Sequence, residues 1–377
     1  MSMMRSKQGF SLLEILIAIA VLGIVMAMSG QLLEHMVVGQ KKQAVITINQ
    51  FEASLGLEML RNDVSNAGFG LADEFKGVNY QEASDAPATQ FNNTSDVPKA
   101  IQHENKISAS GYIQNSDYLV IRSPAVGMDS AAGKWTNITS AGLHKWGDPY
   151  DPYLDMKSDD YMVVIKPRTQ AGGKSKLFVS QEKQGKYAFM LNDTDLTNGS
   201  DGERLYLAFG MGKTEPTMPF NRADYYVRRP DNPDEVNPNC APGTGILYKD
   251  VIGDKDKNGD PIRPYPLIDC VANMQVVFRL DTNTDGIPDP PVNDISGLDA
   301  YKIKEQIKEV HIYILAHEGI KDKSYRSEIA NPAFTVGPSA SLGTVVDLSA
   351  LDGSSTDAWK RYRWITYKIV VKPKSFY

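Results

Sequence analysis

Three groups of residues carry the side chains best suited to chemistry. Glu14 stands at the lip of an uncharged apolar run, residues 15–33. A carboxylate there is costly in lipid and is normally kept for a partner or a function. Cys240 and Cys270 are the only two cysteines, too few for a disulfide-dense scaffold or a four-cysteine zinc site. Two acidic turns place oxygen side chains at loop positions one, three and five, with glycine at six. The first is Asp254, Asp256, Asn258 and Gly259, with Asp260 supplying the position-seven carbonyl. The second is Asp281, Asn283, Asp285 and Gly286, then the Ile287 carbonyl and the Asp289 carboxylate. Hard Ca²⁺ takes such clustered oxygens. Position twelve holds Tyr265 and Val292 instead of a bidentate Glu, and flanking helices are not evident, so a calcium sensor is not expected. The competing reading is a pair of solvated Asx turns. If metal binds, its role is structural.

Other motifs lead away from catalysis. Gly210-Met211-Gly212-Lys213-Thr214 resembles half of a phosphate loop, but position 207 is Leu and Pro216 and Pro219 break the helix that should follow. The five histidines are scattered, with His311 and His317 six apart and no cysteine at zinc spacing. Trp135 and Trp146 flank His144 in a Gly/Asp-rich region. An exposed patch there would contact ligands; packing is the reading adopted. The chain is read as non-enzymatic.

These groups need elements to position them. The chain has 377 residues, 46 acidic against 40 basic, a net charge of -6 and 42% hydrophobic residues. That length can bury a substantial core without a metal or disulfide framework. Mild acidity excludes nucleic acid as the main partner, because phosphate contacts need clustered Lys and Arg. The apolar residues are unevenly placed. Residues 15–33 match a bilayer's hydrocarbon core of about 30 Å. Arg5 and Lys7 before the run should hold the N-terminus in the cytoplasm and send the remaining mass outward. The first 86 residues lack proline, which permits one long helix, and Asn66-Ala67-Gly68-Phe69-Gly70 provides a stop. Beyond the span, Leu33, Val37, Ala44, Ile48, Phe51, Leu55 and Met59 recur at helical spacing and are expected to pack on the chain's own head.

Gly9-Phe10-Ser11-Leu12-Leu13-Glu14 followed by an apolar helix resembles the class III signal of type IV pilins and pseudopilins. The resemblance implies a leader at 1–9 and cleavage between Gly9 and Phe10 by a prepilin peptidase. It also implies N-methylation of Phe10, an N-terminal helix at 10–68 and a β-rich head at 69–377. Loss of Arg5 and Lys7 would take the charge from -6 to -8. The Phe10 amine freed by cleavage is cationic near neutral pH, and Glu14 of a stacked neighbour would pair with it in an apolar surround.

The head reads as short strands at 117–123, 161–166, 177–180, 205–209, 224–228, 274–280, 309–316 and 364–371, with a short helix at 300–308. The expected class is α+β. Leu60-Arg61-Asn62-Asp63-Val64, Ser116-Asp117-Tyr118-Leu119-Val120-Ile121-Arg122 and Glu309-Val310-His311-Ile312-Tyr313-Ile314-Leu315 are similar to pieces of the PilW family of minor pilins. So are Asp224-Tyr225-Tyr226-Val227-Arg228-Arg229 and Cys270-Val271-Ala272 leading into Gln275-Val276-Val277-Phe278. This implies a minor pilin acting at or near a pilus tip. Its partners would be other minor and major pilins, the inner-membrane assembly platform and a tip adhesin. The alternatives are a pseudopilin of type II secretion and a membrane-tethered adhesion protein. Its expected location is the bacterial inner membrane as a single-pass protein with an extracytoplasmic head, then the pilus. In that oxidising compartment Cys240 and Cys270 would form a bridge, against the alternative of two free thiols. The bridge borders the acidic segment 250–296.

Overall fold

The computed structural model describes residues 11–374 except 76, 95–96, 140–141, 148, 168–172, 181–184, 191–192, 194–205, 233–234, 257, 330 and 353–356. Helix α1, Leu12–Ser65, has 54 residues and is about 80 Å long at 1.5 Å per residue. It stops where Gly68 and Gly70 take φ of +73° and +67°, a conformation open to glycine. The N-terminal part of α1 is long and apolar enough to cross a membrane, and none of that stretch is buried.

The head is built from fifteen strands among the described residues. In chain order they are β1 (Ile101–Glu104), β2 (Tyr118–Arg122), β3 (Trp135–Thr139), β4 (Gly142–Leu143) and β5 (Tyr161–Lys166). Then come β6 (Lys176–Leu177), β7 (Ala188–Met190), β8 (Tyr206–Gly212), β9 (Arg222–Arg228) and β10 (Gly245–Val251). The last are β11 (Tyr265–Leu280), β12 (Ile307–Glu318), β13 (Ala333–Val336), β14 (Thr344–Asp347) and β15 (Arg363–Val371). A seven-stranded antiparallel sheet has the order β1-β2-β9-β10-β11-β12-β15. A smaller antiparallel sheet runs β4-β3-β8-β5-β6, with β7 also on β5, and β13 and β14 form a hairpin. The fold is α+β.

Helix α1 lies on one face of the large sheet. Ala53, Leu60 and Val64 share a core with Met274, Val276, Phe278, Ile312, Ile314 and Ile369. Behind β11 and β12, Ala272, Val277 and Leu315 pack with Val336, Leu348 and Trp359. Covered on both faces, β11 is buried almost throughout, Asn273 and Gln275 included, and its burial does not alternate.

Boundaries moved for identifiable reasons. The strand expected at 177–180 is paired only over β6. The helix expected at 300–308 is α2, Ala300–Gln306, and Ile307 and Lys308 already belong to β12. Strand β11 starts well before residue 274, because Pro266 and a bulge at Cys270 (φ 57°) interrupt the pattern without ending the pairing.

Candidate functional site

The half of α1 that meets the head presents two opposed faces. Lys42, Ile46, Ala53, Gly56, Leu60 and Asp63 form the inward row, at steps of three, four or seven. Its small members set the distance. A Cβ added at Gly56 would stand 2.7 Å from the Leu267 carbonyl oxygen, so glycine lets the helix settle against β11. Polar contacts are spread along the row. Lys42 Nζ pairs with Asp322 Oδ1 at 2.7 Å, and Gln50 Nε2 donates to Glu318 Oε2 at 2.9 Å. Lys42 holds the Asp322 carboxyl well below the usual carboxylate range.

The stripe expected to pack on the head does the opposite. Phe51, Leu55 and Ile48 are 72%, 60% and 54% exposed, and Leu33, Val37 and Ala44 are exposed as well. Only Met59 is half-buried against the core. At about 100° per residue this stripe sits roughly 150° around the helix from the inward row. The helix follows the close approach allowed by Ala53 and Gly56, which a search for large apolar residues does not register.

The inward row ends in a buried ion pair that the sequence reading missed. Asp63 Oδ2 lies 2.6 Å from Lys249 Nζ of β10 and accepts from the Tyr225 hydroxyl at 2.6 Å. Burial pushes the Asp63 carboxyl upward, opposed by the Lys249 ammonium. An acid between the buried Leu60 and Val64 and a lysine inside a strand were the available signals. Nearby, Arg122 and Arg222 share Glu82 Oε2 at 2.7 and 2.9 Å, and Arg222 also grips both oxygens of Asp224. Two buried cations and two buried anions thereby balance.

At the other end of α1, Ser11 is the N-cap. Its Oγ accepts from Leu13 N–H at 3.3 Å, while Glu14 Oε2 accepts from Ser11 N–H at 3.1 Å. This reciprocal pair satisfies two amides that a helix start leaves open. Glu14 is exposed, and its Oε1 has no partner among the described residues.

Residues 4–30 match the prokaryotic N-terminal methylation motif. The chain is a type IV pilin-like or pseudopilin-like prepilin. The motif implies processing by a prepilin peptidase and assembly with other pilins. No curated protein and no solved structure matches the chain. Gly9 and Phe10, the expected cleavage and methylation residues, lie outside the described residues. The apolar helix and the motif fit a membrane-anchored prepilin.

In the prepilin's head Cys240 and Cys270 are joined, closing a loop with a sequence separation of 30. The loop contains β10 and therefore Lys249. By loop-closure entropy such a bridge stabilises by about 3–4 kcal/mol. His317 is buried beside it. Its Nε2 accepts the Ala241 N–H at 2.7 Å, and burial pushes the imidazole down to about 4. Cys240, Cys270 and His317 are the only three or more Cys, His, Asp or Glu residues among those described whose ligand atoms lie within 4.8 Å of one another.

The acidic turns are closed by their own hydrogen bonds. Asp281 accepts from the Asp285 and Gly286 N–H groups at 3.1 and 3.0 Å, and Asn283 Oδ1 accepts from Asp285 N–H at 3.2 Å. Asp285 accepts from Ile287 N–H at 2.7 Å. Asp289 accepts from the amide and hydroxyl of Thr282 at 2.8 and 2.6 Å. In the first turn Asp256 Oδ1 accepts from Asn258 and Asp260 N–H at 2.8 and 3.0 Å. Asp254, half-buried, accepts from Lys255 N–H at 3.0 Å.

Proposed function

We propose that the chain is a PilW-like minor pilin of a type IV pilus that helps to start filament assembly at or near the tip. The observation carrying this reading is the bare apolar stripe of α1, with Phe51 and Leu55 turned away from the head. Continuous with the uncharged span, it offers one face that the chain's own fold does not cover and that stacked helices would bury. A head of about three hundred residues favours a subunit of low copy number that caps the filament, rather than one repeated along it. The protein acts by assembly, not turnover. It waits in the inner membrane with its head outside the cytoplasm, and the cleaved Phe10 amine and Glu14 of adjacent subunits guide entry into the pilus.

Electron microscopy of a deletion strain tests the reading. Surface filaments should be lost and should return with the wild-type gene. Glu14→Ala should be processed normally yet restore few filaments, and normal incorporation of that variant would sink the pairing. Intact filaments with lost secretion would move the chain to a type II pseudopilin. Intact filaments with lost adhesion would make it a membrane-tethered binding protein.

A structural Ca²⁺ in the second acidic turn belongs to the same proposal. Asp281, Asn283, Asp285, the Ile287 carbonyl and Asp289 would hold it, with the turn at Asp254, Asp256, Asn258 and Asp260 as a weaker counterpart. Calorimetric titration of the full chain should show calcium-dependent heat that Asp281→Asn removes; a flat titration eliminates the ion.

A further inference from the structure

Sequence assigns Trp135 and Trp146 to packing, but the structure leaves their side chains outside any core, 40% and 43% exposed. With Phe69, Leu154 and the 86%-exposed Tyr153 they wall a cavity of about 630 Å³ between the end of α1 and β3. The two indoles stand 5.1 Å apart at 65°, and His144 meets Trp146 edge-on at 4.8 Å.

What holds these rings is unusual for a surface loop. Asp155, 4% exposed, accepts the N–H groups of Trp146, Gly147 and Asp151 at 2.7, 3.2 and 2.8 Å. Those bonds, the one from Asp151 foremost, keep its carboxyl below the usual range. Lys134, 9% exposed, donates from Nζ to the carbonyls of Pro152 and Asp155 at 2.8 and 2.9 Å. The Trp146 indole N–H donates to the Trp135 carbonyl at 2.8 Å. Two buried charged side chains are thus committed to loop backbone, and burying charge is costly unless it is well bonded. The product is a fixed pair of exposed indoles. Rings held for stability alone would be covered.

The lining says what such a site would take. It contains no carboxylate, and its one cation is already bonded to two carbonyls, so the ligand is neutral. The absence of clustered cations excludes a nucleic acid strand. The Trp135 indole N–H, the Tyr153 hydroxyl and the Asn62 amide nitrogen have no protein partner among the described residues. They would serve ligand hydroxyl groups beside flat apolar walls. We propose that this cavity binds a neutral saccharide, with pyranose rings laid against Trp135 and Trp146. The site adjoins the end of the outward face of α1, since Asn62 and Asn66 of its lining follow Leu55 and Met59 at helical spacing. Sugar binding and filament incorporation are read by different measurements, so either proposal can fail alone.

The test is tryptophan emission of the full chain in a zwitterionic detergent free of sugar, titrated with chitotriose, cellotriose and maltotriose. The other two tryptophans, Trp359 and Trp364, pack in a different cluster, so a change can be assigned by substitution. At least one trisaccharide should give a saturable change that Trp135→Ala and Trp146→Ala abolish. Tyr153→Ala, at a position too exposed to disturb folding, should weaken it by roughly threefold to tenfold. Absence of a saturable change with all three probes up to roughly 10 mM would overturn the proposal. So would a change that survives both tryptophan substitutions. A wild-type chain that responds to no sugar but co-purifies with a pilin that Trp135→Ala and Trp146→Ala lose would also overturn it, by assigning the rings to a subunit contact.

Discussion

The two sides of α1 between residues 42 and 64 are made by one stretch of chain and are treated in opposite ways. The inward side is small and polar, with Ala53, Gly56, Asp63 and Lys42, and it is the side that meets the head. The outward side carries Ile48, Phe51 and Leu55 and stays bare. Apolarity alone therefore does not decide which face a chain covers for itself. Closeness of approach and specific polar anchors do, and the larger side chains are left for something else.

Breaking the inward side should have the greater effect on stability. Asp63→Ala leaves Lys249 buried without its partner and should destabilise the fold by about 3–5 kcal/mol in denaturant titration. A loss under 1 kcal/mol would show that the pair does not anchor the helix. Acid should act on the same side, less strongly. The folded-state pKa of Asp322 is depressed, so its contribution is present above the unfolded value near 3.8 and lost as pH falls below it. Lys42 is partly exposed, which limits the contribution to about 1 kcal/mol. Protection factors of the helix amides near Lys42, corrected for the intrinsic pH dependence of exchange, should fall below pH 4, and Lys42→Met should already show the lower protection at pH 7. The outward side should scarcely register in such measurements. Phe51→Ser with Leu55→Ser should shift unfolding by no more than roughly 0.5 kcal/mol per site, yet impair filament incorporation. A large loss of stability, or unchanged incorporation, would abolish the contrast between the two sides.

The sequence was informative where one local rule dominates. The helix from the motif to Ser65 follows from an uncharged run, an absence of proline and a Gly-rich stop. β5 and β15 announce themselves as compact β-branched runs. The cysteine pairing was inferred from compartment and is present in the fold. Less legible was anything fixed by long-range fit. β10 carries Lys249 and Asp250 in its interior and escaped notice, because a lysine in a strand makes sense only once Asp63 is known to lie opposite. The stripe on α1 was found correctly as a pattern and assigned to the wrong partner. Periodicity identifies a face, and only packing says what lies against it. Trp135 and Trp146, assigned to core or loop packing, do pack on one another but stay 40% and 43% exposed, because the frame that holds them joins Lys134 to Asp155, far apart in sequence.

The anchors of α1 also have a mechanical meaning. Lys42–Asp322, Gln50–Glu318, Gly56 against Leu267 and Asp63–Lys249 are distributed over 22 residues, about 32 Å of helix axis. A pull along that axis loads them in parallel, as shear, whereas a sideways pull would open them one at a time like a zipper. The last anchor holds β10, and the Cys240–Cys270 bridge ties the segment that leads into β10 covalently to β11. Tension entering through the helix is therefore delivered to the centre of the large sheet, and the head resists it best along the direction in which the helix runs.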